Sequence, residues 1–232
     1  MKIALLGYGK MGKVIEKAAL ERGHEIVLRK TGSTTFDGLQ NADVAIDFSI
    51  PDAAVENITT CLNQGVPIVS GTTGWLDSYE DMVSLCNEKN GAFIYGSNFS
   101  LGVNLFFELN DYLAKIMSKF DQYKVQVEEI HHTQKLDKPS GTAITLAKGI
   151  IENSDYTDWS LDNNTNDKVY IDAQRIENVP GTHTVFYNST VDTIEITHTA
   201  HSREGFALGS VIAAEWLSGK KGIYTMKDVL EL

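Results

Sequence analysis

The sequence predicts an α/β protein: a doubly wound parallel sheet, with a second α+β domain carrying an open mixed sheet. Three observations support this. Short apolar runs alternate with amphipathic helical stretches as far as Asn98, and strands joined through helices pair in parallel. The first run ends in Gly7-x-Gly9-x-x-Gly12, which opens a helix and marks the sheet as Rossmann-type. Beyond Asn98 the rhythm changes, and β-rich runs gather without helices between them.

Ile3 to Leu6 is a continuous apolar run, as expected of a strand buried on both faces. Met11, Val14, Ile15, Ala18 and Ala19 then recur on one helical face, and Gly23 supplies the C-terminal stop. Further strands are read at Glu25 to Leu28, Val44 to Phe48, Ile68 to Ser70 and Phe93 to Tyr95, with helices near Ala53 to Asn63 and Leu76 to Glu88. A long apolar helix from Leu101 to Phe120 leads into a strand at Tyr123 to Ile130, then a loop and the helical pattern Ala143, Ile144, Leu146, Ala147, Ile150, Ile151. Asn153 to Asp167 is polar enough to be a mobile surface loop. Strands follow at Lys168 to Ile176, Thr184 to Tyr187 and Thr193 to Thr199, and largely antiparallel pairing is expected of them. A helix at Phe206 to Leu217, stopped by Ser218-Gly219, and the tail Tyr224 to Leu230 close the chain. An open sheet has edges to cover, which predicts a homo-oligomer formed through it.

The formal net charge of −11 argues against nucleic acid or an anionic membrane as a partner, because the field of the whole molecule repels both. An anionic ligand must therefore be attracted locally. Cys61 and Cys86 show no metal-type spacing and read as buried filler, so no metal site is expected. His198-x-x-His201 is no exception, since residues three apart on a strand face opposite ways. No secretory signal or apolar run of spanning length is present, and a reducing cytoplasm is the expected location.

In the glycine pattern, Gly7 allows the tight turn, Gly9 lets a pyrophosphate approach the backbone, and Gly12 permits close packing of helix on sheet. Tyr8, Lys10 and Met11 complete this candidate dinucleotide turn. The second strand ends in Arg29-Lys30 where an NAD site usually offers Asp or Glu, so the two cations favour the 2′-phosphate of NADPH over NADH. Later strand ends carry Phe48-Ser49, Gly71-Thr72-Thr73 and Ser97-Asn98-Phe99, in the position where an open parallel sheet forms its cleft.

The densest chemistry lies in Glu129 to Ala143. His131, His132, Lys135 and Lys138 stand just ahead of Ser140-Gly141-Thr142, which open a helix. Helix N-termini offer unpaired N–H groups and the positive end of a dipole, so a carboxylate suits Gly141 and Thr142. The lysines add charge and a histidine adds a proton transferable near neutral pH. The segment reads as a receptor for a dianion.

Together these motifs resemble the 4-hydroxy-tetrahydrodipicolinate (dihydrodipicolinate) reductase family. The resemblance runs through Gly7 to Gly12, Ile46-Asp47-Phe48-Ser49, Gly71-Thr72-Thr73-Gly74, Asn98 to Asn104, Glu129 to Ala143, Ile194 to His198 and Ser202-Arg203. It implies reduction of 4-hydroxy-tetrahydrodipicolinate to tetrahydrodipicolinate in diaminopimelate and lysine biosynthesis, with NADPH or NADH. His131 would be the proton donor and Lys135 its partner, with His132, Ser140, Gly141 and Thr142 on the substrate carboxylates. It also implies a Rossmann domain at 1–102 plus 204–232, a substrate and oligomerisation domain at 103–203, a homotetramer, and an approach of Arg203 to the cleft. The chain departs from the family by brevity between its second and third strands and near Val179 to His183, where Thr182 replaces a glutamate. Two other readings stand beside this one: a related imine or aldehyde reductase such as an amino-acid dehydrogenase, and a sensor that binds NAD(P)H without chemistry.

Overall fold

In chain order, the computed structural model, which describes residues 1–232, contains β1 (Lys2–Leu6), α1 (Lys10–Glu21), β2 (Glu25–Lys30), β3 (Val44–Asp47), α2 (Pro51–Asn63), β4 (Ile68–Ser70), α3 (Tyr79–Glu88), β5 (Ala92–Tyr95) and α4 (Leu101–Met117). These are followed by β6 (Lys124–His131), α5 (Gly141–Glu152), β7 (Asp158–Ser160), β8 (Lys168–Arg175), β9 (Thr182–Asn188), β10 (Thr193–Thr199), α6 (Glu204–Leu217), β11 (Gly222–Tyr224) and α7 (Met226–Leu230). The chain divides into two units, Met1–Leu101 with Arg203–Leu232, and Gly102–Ser202. No helix is long and apolar enough to cross a membrane.

The first unit is built on a six-stranded sheet in the order β11-β5-β4-β3-β1-β2, all parallel. The order reverses direction between β1 and β3, the switch point at which such sheets open a ligand crevice. Ile3, Leu5, Val44 and Ile46 pack on one face with α1 and α6, while Ala4, Leu6, Ala45 and Ile68 pack on the other with α2 and α3. That burial on both faces is why these strands read as unbroken apolar runs. Pro51 starts α2, where its missing N–H costs nothing.

The second unit has a five-stranded sheet in the order β10-β9-β6-β8-β7. Its pairing is mixed: β10 with β9 and β9 with β6 are antiparallel, whereas β6 with β8 and β8 with β7 are parallel. The expectation of a largely antiparallel sheet is thus half met, because α5 serves as the crossover that returns the chain parallel to β6. Alternation along β6 sends Val125, Val127, Glu129 and His131 to the buried face, against which α4 and α5 lay Phe106, Met117, Leu146 and Ile150.

Two short strands escaped the sequence reading. β7 lies inside the stretch expected to be a mobile loop, and β11 lies in the tail, where it pairs with β5 and Gly222 N–H donates to Gly91 O at 2.8 Å. A strand of three residues shows too little alternation to be recognised. The helix expected at Leu76 to Glu88 begins instead with a 3₁₀ turn over Leu76–Ser78.

Candidate active site

At the end of β1, Gly7 turns with φ +99° and its N–H donates to Lys30 O at 3.0 Å. A Cβ on Gly7 would lie 2.2 Å from Phe48 O, and one on Gly12 would lie 2.2 Å from Gly7 O, so turn, strand end and α1 meet at backbone distance. Gly9 is different: no atom lies within 4 Å of the position of a Cβ there. It is also the N-cap of α1 and offers no side-chain cap, which leaves the first N–H groups of the helix without a capping side chain. This is the shape a pyrophosphate needs, and a dinucleotide fits the residues present.

The adjoining cleft has a volume of about 340 Å³. Among the expected cofactor residues it gathers Gly9, Lys10 and Met11 from the turn, Phe48 and Ser49 beyond β3, and Gly71, Thr72 and Thr73 beyond β4. Ser97 and Asn98 are not among its lining residues. Phe99 is buried in the core, its ring centroid 5.8 Å from that of Phe48, which is among the lining residues.

The loops around the cleft are tied together by a residue to which the sequence reading gave no role. Asp47 is wholly buried and accepts hydrogen bonds from Ser49 Oγ (2.7 Å), Ser70 Oγ (2.8 Å) and Asn57 Nδ2 (2.9 Å). Burial raises its pKa against the pull of those donors. Ser49 N–H then reaches Thr72 Oγ1 at 2.8 Å, joining the loops that follow β3 and β4.

Arg29 and Lys30 do not stand as two free cations. Arg29 Nε donates to Glu16 Oε1 at 2.8 Å, and Tyr8 Oη donates to the same carboxylate. Lys30 is buried with its ammonium 4.5 Å above the ring of Phe36.

The second constellation stands at the end of β6. His131 Nδ1 faces Glu129 Oε2 in a close ion pair, while Glu129 Oε1 accepts from Arg175 Nη1 at 2.9 Å and from Ser140 N–H at 3.3 Å. Burial opposes the charge on Glu129, but the His131 and Arg175 partners outweigh it and hold the carboxyl at a pKa of about 2. A carboxylate facing Nδ1 favours a proton on that nitrogen and leaves Nε2 as the ring's other nitrogen. A Cβ on Gly181 would lie 3.0 Å from Nε2, so a side chain there would crowd that nitrogen.

Ser140 caps α5 by accepting from Ala143 N–H at 3.2 Å, and its hydroxyl lies 3.2 Å from His183 Nε2. Buried Ser140 thus places its N–H on Glu129 and its hydroxyl between the cap of α5 and His183. Gly141 is exposed and Thr142 half-buried in the first turn of the helix. Lys135 Nζ pairs with Asp137 at 2.8 Å, and the ring of His132 is half-buried at the head of the same loop.

The sequence reading missed Glu129, Arg175 and His183. Glu129 and His131 are two apart on one strand and so share a face, which was a visible signal; Arg175 and His183 come from other strands and gave none. His183 sits edge-on to His131 with centroids 5.0 Å apart. Burial first, and then the charge of His131, lower its pKa from 6.5 to about 3. The unfolded ring takes a proton below 6.5 that the folded ring refuses until about 3, so stability is complete above that window and falls as pH drops through it. From pH 6.5 to 5 the loss from this one group is about 2 kcal/mol, at 1.36 kcal/mol per unit. Urea unfolding at the two pH values reads it, and the drop should flatten in His183→Gln; an equal drop in both proteins would reject a neutral buried ring.

The family models for the dihydrodipicolinate reductase N-terminus and C-terminus match residues 1–99 and 102–230. The chain is 58% identical to 4-hydroxy-tetrahydrodipicolinate reductase of Christiangramia forsetii, over 99% of this chain and 98% of that one. It is 34% identical to the protein of the same name from Archaeoglobus fulgidus, with 100% of both chains covered. Among solved structures, a dipicolinate-bound dihydrodipicolinate reductase from Paenisporosarcina sp. TG-14 shares the fold, with a TM-score of 0.74, 21% identity and 97% of each chain covered. Since both parts of the family match and the likeness runs end to end, the chain belongs to the dihydrodipicolinate reductase family, NAD(P)H-dependent oxidoreductases of diaminopimelate and lysine biosynthesis.

Proposed function

We propose that the chain reduces 4-hydroxy-tetrahydrodipicolinate to tetrahydrodipicolinate with NADPH or NADH, and that His131 is the proton donor. The supporting observation is the ring of His131, met at Nδ1 by Glu129 and left uncrowded at Nε2 by the missing side chain of Gly181. Bound reduced nicotinamide supplies a hydride to ring carbon 4 of the dehydrated, conjugated substrate. His131 supplies the balancing proton from Nε2 to the enamine carbon, and Lys135 assists as its charged partner. His132 and the first turn of α5, at Gly141 and Thr142, hold the carboxylates and so fix the ring in one orientation. Gly7, Gly9 and Gly12 shape the turn for the pyrophosphate, with the Ser49 and Thr72 loops alongside. The half-buried outer face of the second unit's sheet is the surface for a homotetramer.

The test is the loss of reduced-nicotinamide absorbance when the dicarboxylate substrate is supplied with either cofactor. Pyridine-2,6-dicarboxylate should compete. No loss with either cofactor would favour a sensor, and turnover only with a different carbonyl or imine would favour a related dehydrogenase.

Arg29 and Lys30 favour NADPH, but the 2′-phosphate must take Arg29 from Glu16, which keeps the margin over NADH small. Replacing Glu16 by Gln should release Arg29 and raise the NADPH to NADH ratio of kcat/KM about tenfold, or roughly 1.4 kcal/mol. An unchanged ratio in the variant would remove Arg29 from the cofactor site.

A further inference from the structure

We propose that Glu129 and Arg175 are positioning residues for His131: the buried carboxylate sets its tautomer, and the guanidinium holds that carboxylate in place. The inference rests on the role given to His131 above and adds how the ring is aimed.

Three parts of the second unit converge here. Glu129 and His131 lie on the inward face of β6, and His131 is in register with Arg175 on the parallel neighbour β8. Glu129 has no exposed surface, and its oxygens divide the work: Oε2 meets Nδ1, while Oε1 accepts from Arg175 at 2.9 Å and from Ser140 N–H at 3.3 Å. Arg175 goes further. Its Nε donates to Lys135 O at 3.3 Å, its Nη1 to Gln174 O at 2.6 Å, and its Nη2 to Asp137 O. One guanidinium therefore joins the carboxylate behind His131 to the loop that carries Lys135. Buried ion pairs contribute little to stability compared with well-packed apolar groups, so the specific consequence of this one is geometric.

Glu129→Gln isolates the effect with almost no change of shape. The amide oxygen keeps the Arg175 and Ser140 donors, which turns the amide NH₂ towards His131 Nδ1. A donor facing Nδ1 forces that nitrogen to accept, so the ring is held neutral with its proton on Nε2. An imidazolium would then set one donor against another, and the ring fails as an acid.

Steady-state kinetics and side-chain ¹⁵N NMR of His131 test this together. In Glu129→Gln, kcat should fall about 100-fold while KM for the dicarboxylate stays within about threefold, and Nδ1 should change from protonated to unprotonated. Arg175→Lys, which keeps the charge, should retain about ten times more turnover than Arg175→Met. A Gln variant with kcat within about twofold of the parent and Nδ1 still protonated would overturn the proposal. A parallel change of kcat and KM with a lowered melting temperature would do the same, since it marks a structural role alone. If the parent protein lacked reductase activity the functional reading would fail, yet the Nδ1 signal would still decide whether Glu129 sets the tautomer.

Discussion

Replacing His131 by Gln is expected to lower kcat by about 10²- to 10⁴-fold, the usual contribution of a positioned general acid, with KM changed only a few-fold. The side chain sits at the end of β6 with no side chain on Gly181 to crowd its Nε2, and Gln is close in reach but has no transferable proton in this range. Its amide can still meet Glu129, so the buried carboxylate is not left without its local partner. The loss should therefore concentrate in turnover. His132→Ala and Thr142→Val provide the contrast: on the proposed function these positions hold the ground-state dianion, so KM should rise while kcat is largely kept. Steady-state kinetics with the dicarboxylate as varied substrate separates the two patterns. Near-normal kcat in His131→Gln would move the proton donor elsewhere, and a reversed split would exchange the roles of the two histidines.

How much of this was legible in the sequence depends on how far apart the cooperating residues lie. The Rossmann-type sheet was readable because Ile3 to Leu6, Val44 to Ile46 and Ile68 to Val69 are buried on both faces and appear as plain apolar runs. The glycine turn was readable because all its constraints fall within six residues. Pairings across strands were not. Arg175 is 46 residues from Glu129, and only the parallel register of β6 and β8 brings them together. The same limit applies to Arg29 and Glu16, which met in the fold after the sequence had offered Arg29 as a free cation. The Ser-Gly-Thr step marked a helix start in the sequence, but the contact of Ser140 with His183 depends on backbone geometry that only the fold supplies. Asp47 was quoted as part of a motif, yet its function as a knot between loops needed Ser70 and Asn57 to be in place.

Gly7→Ala should be the most damaging single substitution in the nucleotide turn, costing more than about 3 kcal/mol, beyond the 1–3 kcal/mol expected of unusual backbone alone. The residue adopts φ +99°, which L side chains rarely tolerate, and the added methyl would lie 2.2 Å from Phe48 O, 2.5 Å from Phe48 C and 2.7 Å from Ser49 N. All three are backbone atoms, so no rotamer change relieves the overlap. The backbone cannot drift easily either, because Gly7 N–H is bonded to Lys30 O at 3.0 Å and Phe48 N–H to Leu6 O at 2.9 Å. Pushing the turn the other way drives Gly7 O into Gly12 and the start of α1. Gly9→Ala is the matched control: with φ −86° and no atom within 4 Å of the new methyl, it should fold with the stability of the parent. Its methyl instead occupies the space in which a pyrophosphate would approach the backbone, so NADPH affinity should fall by about tenfold or more, roughly 1.4 kcal/mol. Thermal unfolding paired with fluorescence titration of NADPH distinguishes the two alanines. Equal melting temperatures would mean that the Gly7 turn has slack absent from its contacts, and unimpaired NADPH binding by Gly9→Ala would place the pyrophosphate away from the N-terminus of α1.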